Sequence, residues 1–332
     1  LAEGFGPGFN APMTAVVDLS GASDPVAAAD AVAAAIATDP GVLNVTAPML
    51  NQTGDTAVVP FVPRTGPSSD ETEELVHRLR ADVLAPVEAA TGADAAVAGT
   101  TAVLIDLSDK MADALPIFVG LVIGLTMILL LVVFRSLVVP VKAAIAILLS
   151  IASSFGVVVA IFQWGWLAGL VGVDGDLPII SFLPMLMFAI LFGLSMDYEV
   201  FIVSRIREDW VRTRQAGPSV LSGLTSSARV ITAAALIMIS VFASFILGDD
   251  PTIKMFGLGF SVAVLLDATV VRMMIVPAVL ALFGERTWWL PGWLDRLIPD
   301  LDVEGEHLIE ALDAAGIDQH SDPDDVAHLV GV

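Results

Sequence analysis

The chain has 332 residues, 56% of them hydrophobic and 16% charged, with a mean hydropathy of +0.83. That balance excludes an ordinary soluble protein of this size and reads as an integral membrane protein. A net charge of −22 argues against nucleic acid as a partner, because phosphate binding needs clustered Lys and Arg, and the absence of cysteine excludes disulfides, thiol catalysis and thiolate metal sites.

The charge is uneven. Residues 1–114 hold 16 acids against 4 bases, 115–299 hold 11 of each, and 300–332 hold 10 acids with no Lys or Arg. The opening "LAEGFGPGFN" has no Met, no basic region and no apolar core, so it does not read as a signal peptide. The chain reads as part of a longer one.

Residues 1–114 read as a small α/β domain. "MTAVVDLS" is a strand; Asp24 caps a helix from Pro25 to about Thr38, with proline at its first position. "GVLNVTAP" is a second strand, "NQTGDT" a turn and "AVVPFVP" a third strand, whose prolines suit a sheet edge. Ser68 and Glu71 have capping-box spacing ahead of a helix that runs to about Ala90 and is stopped by Gly92. "DAAVAGT" is the fourth strand. The order βαββαβ is that of a ferredoxin-like unit, with Ala33, Ile36, Leu75 and Leu79 expected to pack its helices on the sheet. An amphipathic stretch, Ala102–Ala114, follows.

Residues 115–284 read as a transmembrane domain of five helical spans, at about 116–134, 143–167, 177–204, 230–247 and 255–283. Ser150, Ser153, Ser154, Gly156, Ser240 and Ser244 point to close helix packing. Arg135 and Lys142 flank the first connection, and Arg205, Arg207, Arg212 and Arg214 crowd the third; Asp174, Asp176, Asp249 and Asp250 face a lone Lys254 on the other side. The positive-inside rule then puts the front domain outside the cytoplasm and the tail inside. Arg205–Gln215 is expected as an amphipathic helix along the cytoplasmic face. Residues 285–332 read as an interfacial collar, "TWWLPGWLDRLIP", and an acidic tail that is disordered or partly helical.

The chemistry concentrates in "GLSMDYEVFIVSRIREDW", which sets Asp197 beside the only tyrosine of the chain, Tyr198, in an apolar run. Asp197 lies eight residues before Arg205, so about 12 Å from an interface set by that arginine. A carboxyl at such depth costs roughly 2.5–3.5 kcal/mol on insertion scales, and reads either as a proton relay steadied by the tyrosine hydroxyl or as a group bonded to a neighbouring helix or half wet at a higher membrane boundary. Asp267 lies five residues before Arg272, away from the i, i+4 spacing of a good helical pair, and is either a second ionisable site or a group with a partner on another helix. Glu199 reads as a solvated interface residue, and His77, His307, His320 and His328 as solvated side chains.

"FGLSMDYEVFIVSRIREDW", "LLDATVVRMMIVPA" and "RLIPDLDVEGE" closely resemble the C-terminal half of MMPL-type transporters of the resistance-nodulation-division superfamily, and "GFGPGFNAP" resembles the start of that family's second extracytoplasmic domain. The resemblance implies a twelve-helix protein in two similar halves, the five spans here being helices eight to twelve. It implies that Asp197 and Tyr198 relay protons that drive export of lipids or other hydrophobic substrates, with no cofactor, and that a missing N-terminal half carries its own Asp-Tyr pair. On this reading the protein is a proton-coupled secondary transporter and not an enzyme. The residues leave two alternatives, a lipid-sensing membrane module without a proton cycle and an intramembrane aspartyl protease using Asp197 and Asp267.

Overall fold

The structure is a computed structural model that describes residues 2–173 and 177–296. The expectations for the acidic tail, for His307, His320 and His328, and for Asp174 and Asp176 lie outside the described residues. The chain divides into two compact units, Leu1–Ala114 and Leu115–Val332.

The first unit opens with a short helix, α1 (Ala2–Phe5), and a 3-10 turn, Pro7–Asn10. Then come β1 (Met13–Asp18), α2 (Pro25–Thr38), β2 (Val42–Val45), β3 (Met49–Leu50), β4 (Thr56–Pro63), α3 (Asp70–Arg78), α4 (Ala85–Thr91) and β5 (Asp94–Ala98). The sheet is antiparallel in the order β2-β4-β1-β5, with β3 also on β4. Alternation along the strands turns Met13, Ala15, Val17, Val59 and Phe61 to one face, where Val32 and Ile36 of α2 and Leu75 of α3 cover them. Leu79 joins that core and Ala33 packs against it.

Asp24 caps α2 as its sequence requires, its carboxylate accepting from the Ala27 amide at 3.1 Å. The cap of α3 is Ser69, one residue later than the expected Ser68, and it accepts from the Thr72 amide. A π-helical turn, Leu79–Leu84, links α3 to α4, and Gly92 ends the run in the left-handed region at φ 73°.

The proline-bearing strand is not an edge. β4 lies between β1 and β2, and Pro60 is tolerated because its backbone faces the gap between the end of β2 and the start of β3. Its carbonyl accepts there from the Thr46 amide at 2.8 Å, and its missing N–H falls where no strand is paired.

Five helices are long and apolar enough to cross a membrane. They are α5 (Thr100–Phe134), α6 (Val138–Val158, extended by a π turn to Gln163), α7 (Leu183–Thr213), α8 (Ala216–Ser244) and α9 (Pro251–Leu266), the last continued by a π-helical segment, Asp267–Ile275, and α10 (Val276–Phe283). A 3-10 turn, Gly284–Trp288, and α11 (Gly292–Asp295) follow. The expected Ala102–Ala114 stretch and the first span are one helix, and the expected amphipathic helix after Ser204 is the continuation of α7, which ends where Arg214 adopts φ 53°.

Close approach rests on other small residues than most of those expected. Ser150 and Ser154 are buried, and Ser154 donates to the Gly259 carbonyl at 2.6 Å. Ser153, Gly156, Ser240 and Ser244 are exposed, the last two donating back into their own helix at Leu236 and Val241. A Cβ on Gly223 would stand 2.6 Å from Ile206 Cγ1, and one on Gly257 would stand 2.8 Å from the Phe242 carbonyl oxygen, so these glycines set the α7–α8 and α8–α9 crossings.

Candidate functional site

The buried residues of α7 run Met187, Leu191, Ser195, Glu199, Ile202 and Ile206, spaced about one turn apart along the face turned to the other helices. Two polar stations interrupt this stripe. At the first, Ser195 Oγ donates to Asp267 Oδ1 at 3.0 Å, and Arg272 Nε donates to Asp267 Oδ2 at 2.8 Å. Arg272 Nη2 donates to Ser195 Oγ at 2.9 Å and also to the Ser195 carbonyl. The guanidinium lies 5.2 Å from the centroid of the Tyr198 ring, within cation–π range. Arg272 is 1% exposed, and its Nη1 has no hydrogen-bond partner among the described residues.

Asp267 and Arg272 meet because the helix changes type between them. Five residues of α-helix turn through about 140° net, which would set the two side chains on different faces. Between Asp267 and Ile275 the bonding is i→i+5, and the Val276 amide donates to the Val271 carbonyl. The wider turn brings positions five apart onto one side. Pro277, in the first turn of α10, cannot make the ordinary bond four residues back, so the wide turn ends where a regular helix would have been broken anyway. The spacing that argued against a pair is the spacing that this segment requires.

One turn along α7 lies the second station. Glu199, expected to be solvated, is 4% exposed and accepts a hydrogen bond from Lys142 Nζ of α6. Lys142, expected to flank a loop, lies in the second turn of α6 and is 7% exposed. Two charges leave water together here, which is tolerable only because they pair. Lys254, expected as a loop charge, is also buried and donates to the Val171 and Gly172 carbonyls at 2.8 and 2.9 Å.

Asp197 stands apart from both stations. It is two residues from Ser195 and two from Glu199, roughly 200° around the helix from each, and so points away from α6 and the Asp267–Ile275 segment. Its side chain is exposed and makes no hydrogen bond or ion pair with a described residue. Tyr198 is half-buried and faces the first station. A shared-proton pair of Asp197 and Asp267 is therefore not built by this fold: both Asp267 oxygens are engaged by Ser195 and Arg272, and Asp197 is on the far side of α7.

A narrow cleft of about 20 Å³ opens at the first station, lined by Ser150, Ser195, Tyr198, Asp267 and Arg272 among apolar residues of α6 to α9. Sequence reasoning reached Asp267, Arg272 and Tyr198 but not Ser195 or Lys142. Lys142 had a signal, since "VVPVKAAIAILL" places it well inside an apolar run. Ser195 had a weaker one, four residues before Glu199.

Comparison with known proteins follows the same residues. The model of the MMPL family matches residues 11–298. Membrane protein YdfJ of Bacillus subtilis is 43% identical over 314 residues, 94% of this chain and 42% of that protein. The mycolic acid-containing lipids exporter MmpL11 of Mycolicibacterium smegmatis is 36% identical over 308 residues, 91% of this chain and 32% of that protein. The trehalose monomycolate exporter MmpL3 of the same organism is 35% identical over 216 residues, 65% of this chain and 21% of that protein. The chain thus spans less than half the length of these relatives.

Proposed function

Because the chain belongs to the MMPL family, we propose that this multi-pass membrane protein is the C-terminal half of a proton-driven exporter of lipids or other hydrophobic molecules, with Asp197 as the proton carrier. The observation that carries this reading is the opposed placement on α7. Asp197 is held on the face that this half leaves open, while Ser195, Tyr198 and Glu199 tie the other face to α6 and the Asp267–Ile275 segment. In a full-length protein that open face meets a second half with its own Asp-Tyr pair, and a charge that comes and goes there changes how the halves pack.

Tyr198 tunes the relay, because its ring lies against the Arg272 guanidinium beside Asp197 on the same helix. Asp267 and Arg272 form a second ionisable site that α7 feels directly through Ser195. The sheet order β2-β4-β1-β5, with the two-residue β3 added on β4, supports a ferredoxin-like porter domain in front. The Lys and Arg bias of the loops supports its placement outside the cytoplasm, with the tail inside. Relatives named as exporters of mycolic acid-containing lipids and of trehalose monomycolate support lipids as the substrate class.

The test is export by the full-length protein in vesicles under an imposed pH gradient. Asp197→Asn keeps the shape of the side chain but cannot change charge, and is expected to insert and fold while losing gradient-driven export. Export at the unmodified rate by that variant would falsify the relay.

A further inference from the structure

We propose that the lateral groove between α6 and α10 binds one anionic phospholipid of the surrounding bilayer, with an acyl chain in the groove and the phosphate at Arg286. This goes beyond the exporter reading and needs only that the helices span a membrane. The groove has a volume of about 680 Å³. Val138, Val141 and Ile145 of α6 form one wall, and Val279 and Phe283 of α10 form the other. From Val138 to Ile145 the wall is roughly 10 Å long, about two-thirds of the hydrocarbon depth of one leaflet. A slot of that length, open along its side, suits an alkyl chain that enters from the membrane.

Charge lies at one end only. Arg286 and Trp289 close the end at which α6 begins and α10 has finished, and no carboxylate lines the groove. Lys142 also lines it but is committed to Glu199, so the uncompensated cation is Arg286, which has no hydrogen bond or ion pair with a described residue. Trp289 and Trp293 are 56% and 71% exposed, as expected of indoles at the headgroup level.

The rim is fixed in place. The Leu137 amide donates to the Trp289 carbonyl at 3.4 Å, Ser136 Oγ donates to the Thr287 carbonyl, and Arg135 pairs with Asp295 at 2.6 Å. Arg286 is therefore presented on a braced turn. Val141, Ile145 and Phe283 are exposed, so the groove opens along its side at the surface of the described residues.

The experiment uses the full-length protein in vesicles of phosphatidylcholine with a minor share of phosphatidylglycerol, followed by native mass spectrometry of retained lipid. One phosphatidylglycerol is expected to be retained, with about a fivefold preference over phosphatidylcholine, the size of one cation acting on a headgroup. Arg286→Gln is expected to bring the two lipids to parity and Arg286→Lys to keep most of the preference. Val141→Trp, which fills the groove, is expected to remove the retained lipid of either kind. A photo-crosslinker at Val141 is expected to capture lipid. Equal retention by the unmodified protein, Arg286→Gln and Val141→Trp overturns the site, and so does capture of another segment of the protein at Val141. Neither result touches the Asp197 assignment.

Discussion

The front unit and the helical unit use the same kinds of interaction in opposite places. In the front unit the apolar side chains are inside, and the ion pairs lie at the margin of that core, each with at least one partner partly exposed to water although Asp39 itself is buried, where they join elements distant in sequence. Arg78 grips Asp39 through two bonds of 2.8 and 2.9 Å, and Arg80 grips Asp106 through bonds of 2.5 and 3.0 Å. In the helical unit Ile117, Leu121 and Leu125 are exposed, while Lys142, Glu199, Arg272 and Ser195 are buried. Water rewards the first arrangement, because it solvates whatever charge is left over. Lipid offers no such refuge, so polar groups in the second unit must find one another between helices. The cost of breaking a pair should therefore differ sharply between the two units.

The largest effect is expected at Asp197, where Asn is predicted to abolish gradient-driven export in the full-length protein. Tyr198→Phe removes one hydroxyl and is predicted to slow export or shift its pH dependence without abolishing it. The measurement is initial export rate against external pH for the three proteins side by side. A Tyr198→Phe profile identical to that of the unmodified protein would detach the tyrosine from the relay.

Next come the buried pairs. Lys142→Met leaves the Glu199 carboxylate alone among apolar side chains, and the predicted loss is about 3–5 kcal/mol. The double variant Lys142→Met with Glu199→Gln is predicted to recover most of it, because both charges are gone. Thermal unfolding in detergent decides this, and equal stability of single and double variants would mean that the pair is wetter than its burial implies.

Asp267→Asn is predicted to destabilise to a similar degree, since it leaves the buried Arg272 guanidinium without a compensating negative charge, even if the amide oxygen still accepts a hydrogen bond. Adding Arg272→Gln should restore stability but not export, as expected of an ionisable site. Restoration of both would reduce Asp267 and Arg272 to a brace.

The smallest effect belongs to the front unit. The Arg78 guanidinium holds the Asp39 carboxyl below its ordinary range, against the opposing effect of burial. A depressed folded-state pKa adds stability that is full above the unfolded value, about 3.9, and is lost as pH falls through the folded value. Arg78 is partly exposed to water, so Arg78→Met is predicted to cost only about 1 kcal/mol near neutral pH, and to flatten the acid limb of front-domain stability. Unfolding followed between pH 6 and pH 2 checks the sign. A steeper acid limb in the variant would contradict the assignment.

By itself the sequence determined the membrane class, five apolar helices, the two long helical runs and four of the five strands of the front unit in order, and the family motif around Asp197. These rest on local quantities: mean hydropathy, run length, caps such as Asp24 and stops such as Gly92. Tertiary structure alone decided facing and pairing. Each residue along a helix turns the side chain by about 100°, so Asp197 and Glu199, two positions apart, end on opposite sides of α7, one open and one closed on Lys142. A change from i→i+4 to i→i+5 bonding, which hydropathy does not register, turned Asp267 and Arg272 from a mismatched spacing into a direct pair. Pro60 likewise sits in an interior strand because two partner strands leave a gap beside it. Composition is a sum over residues and survives such shifts, whereas facing depends on accumulated angle and on what the neighbouring element presents.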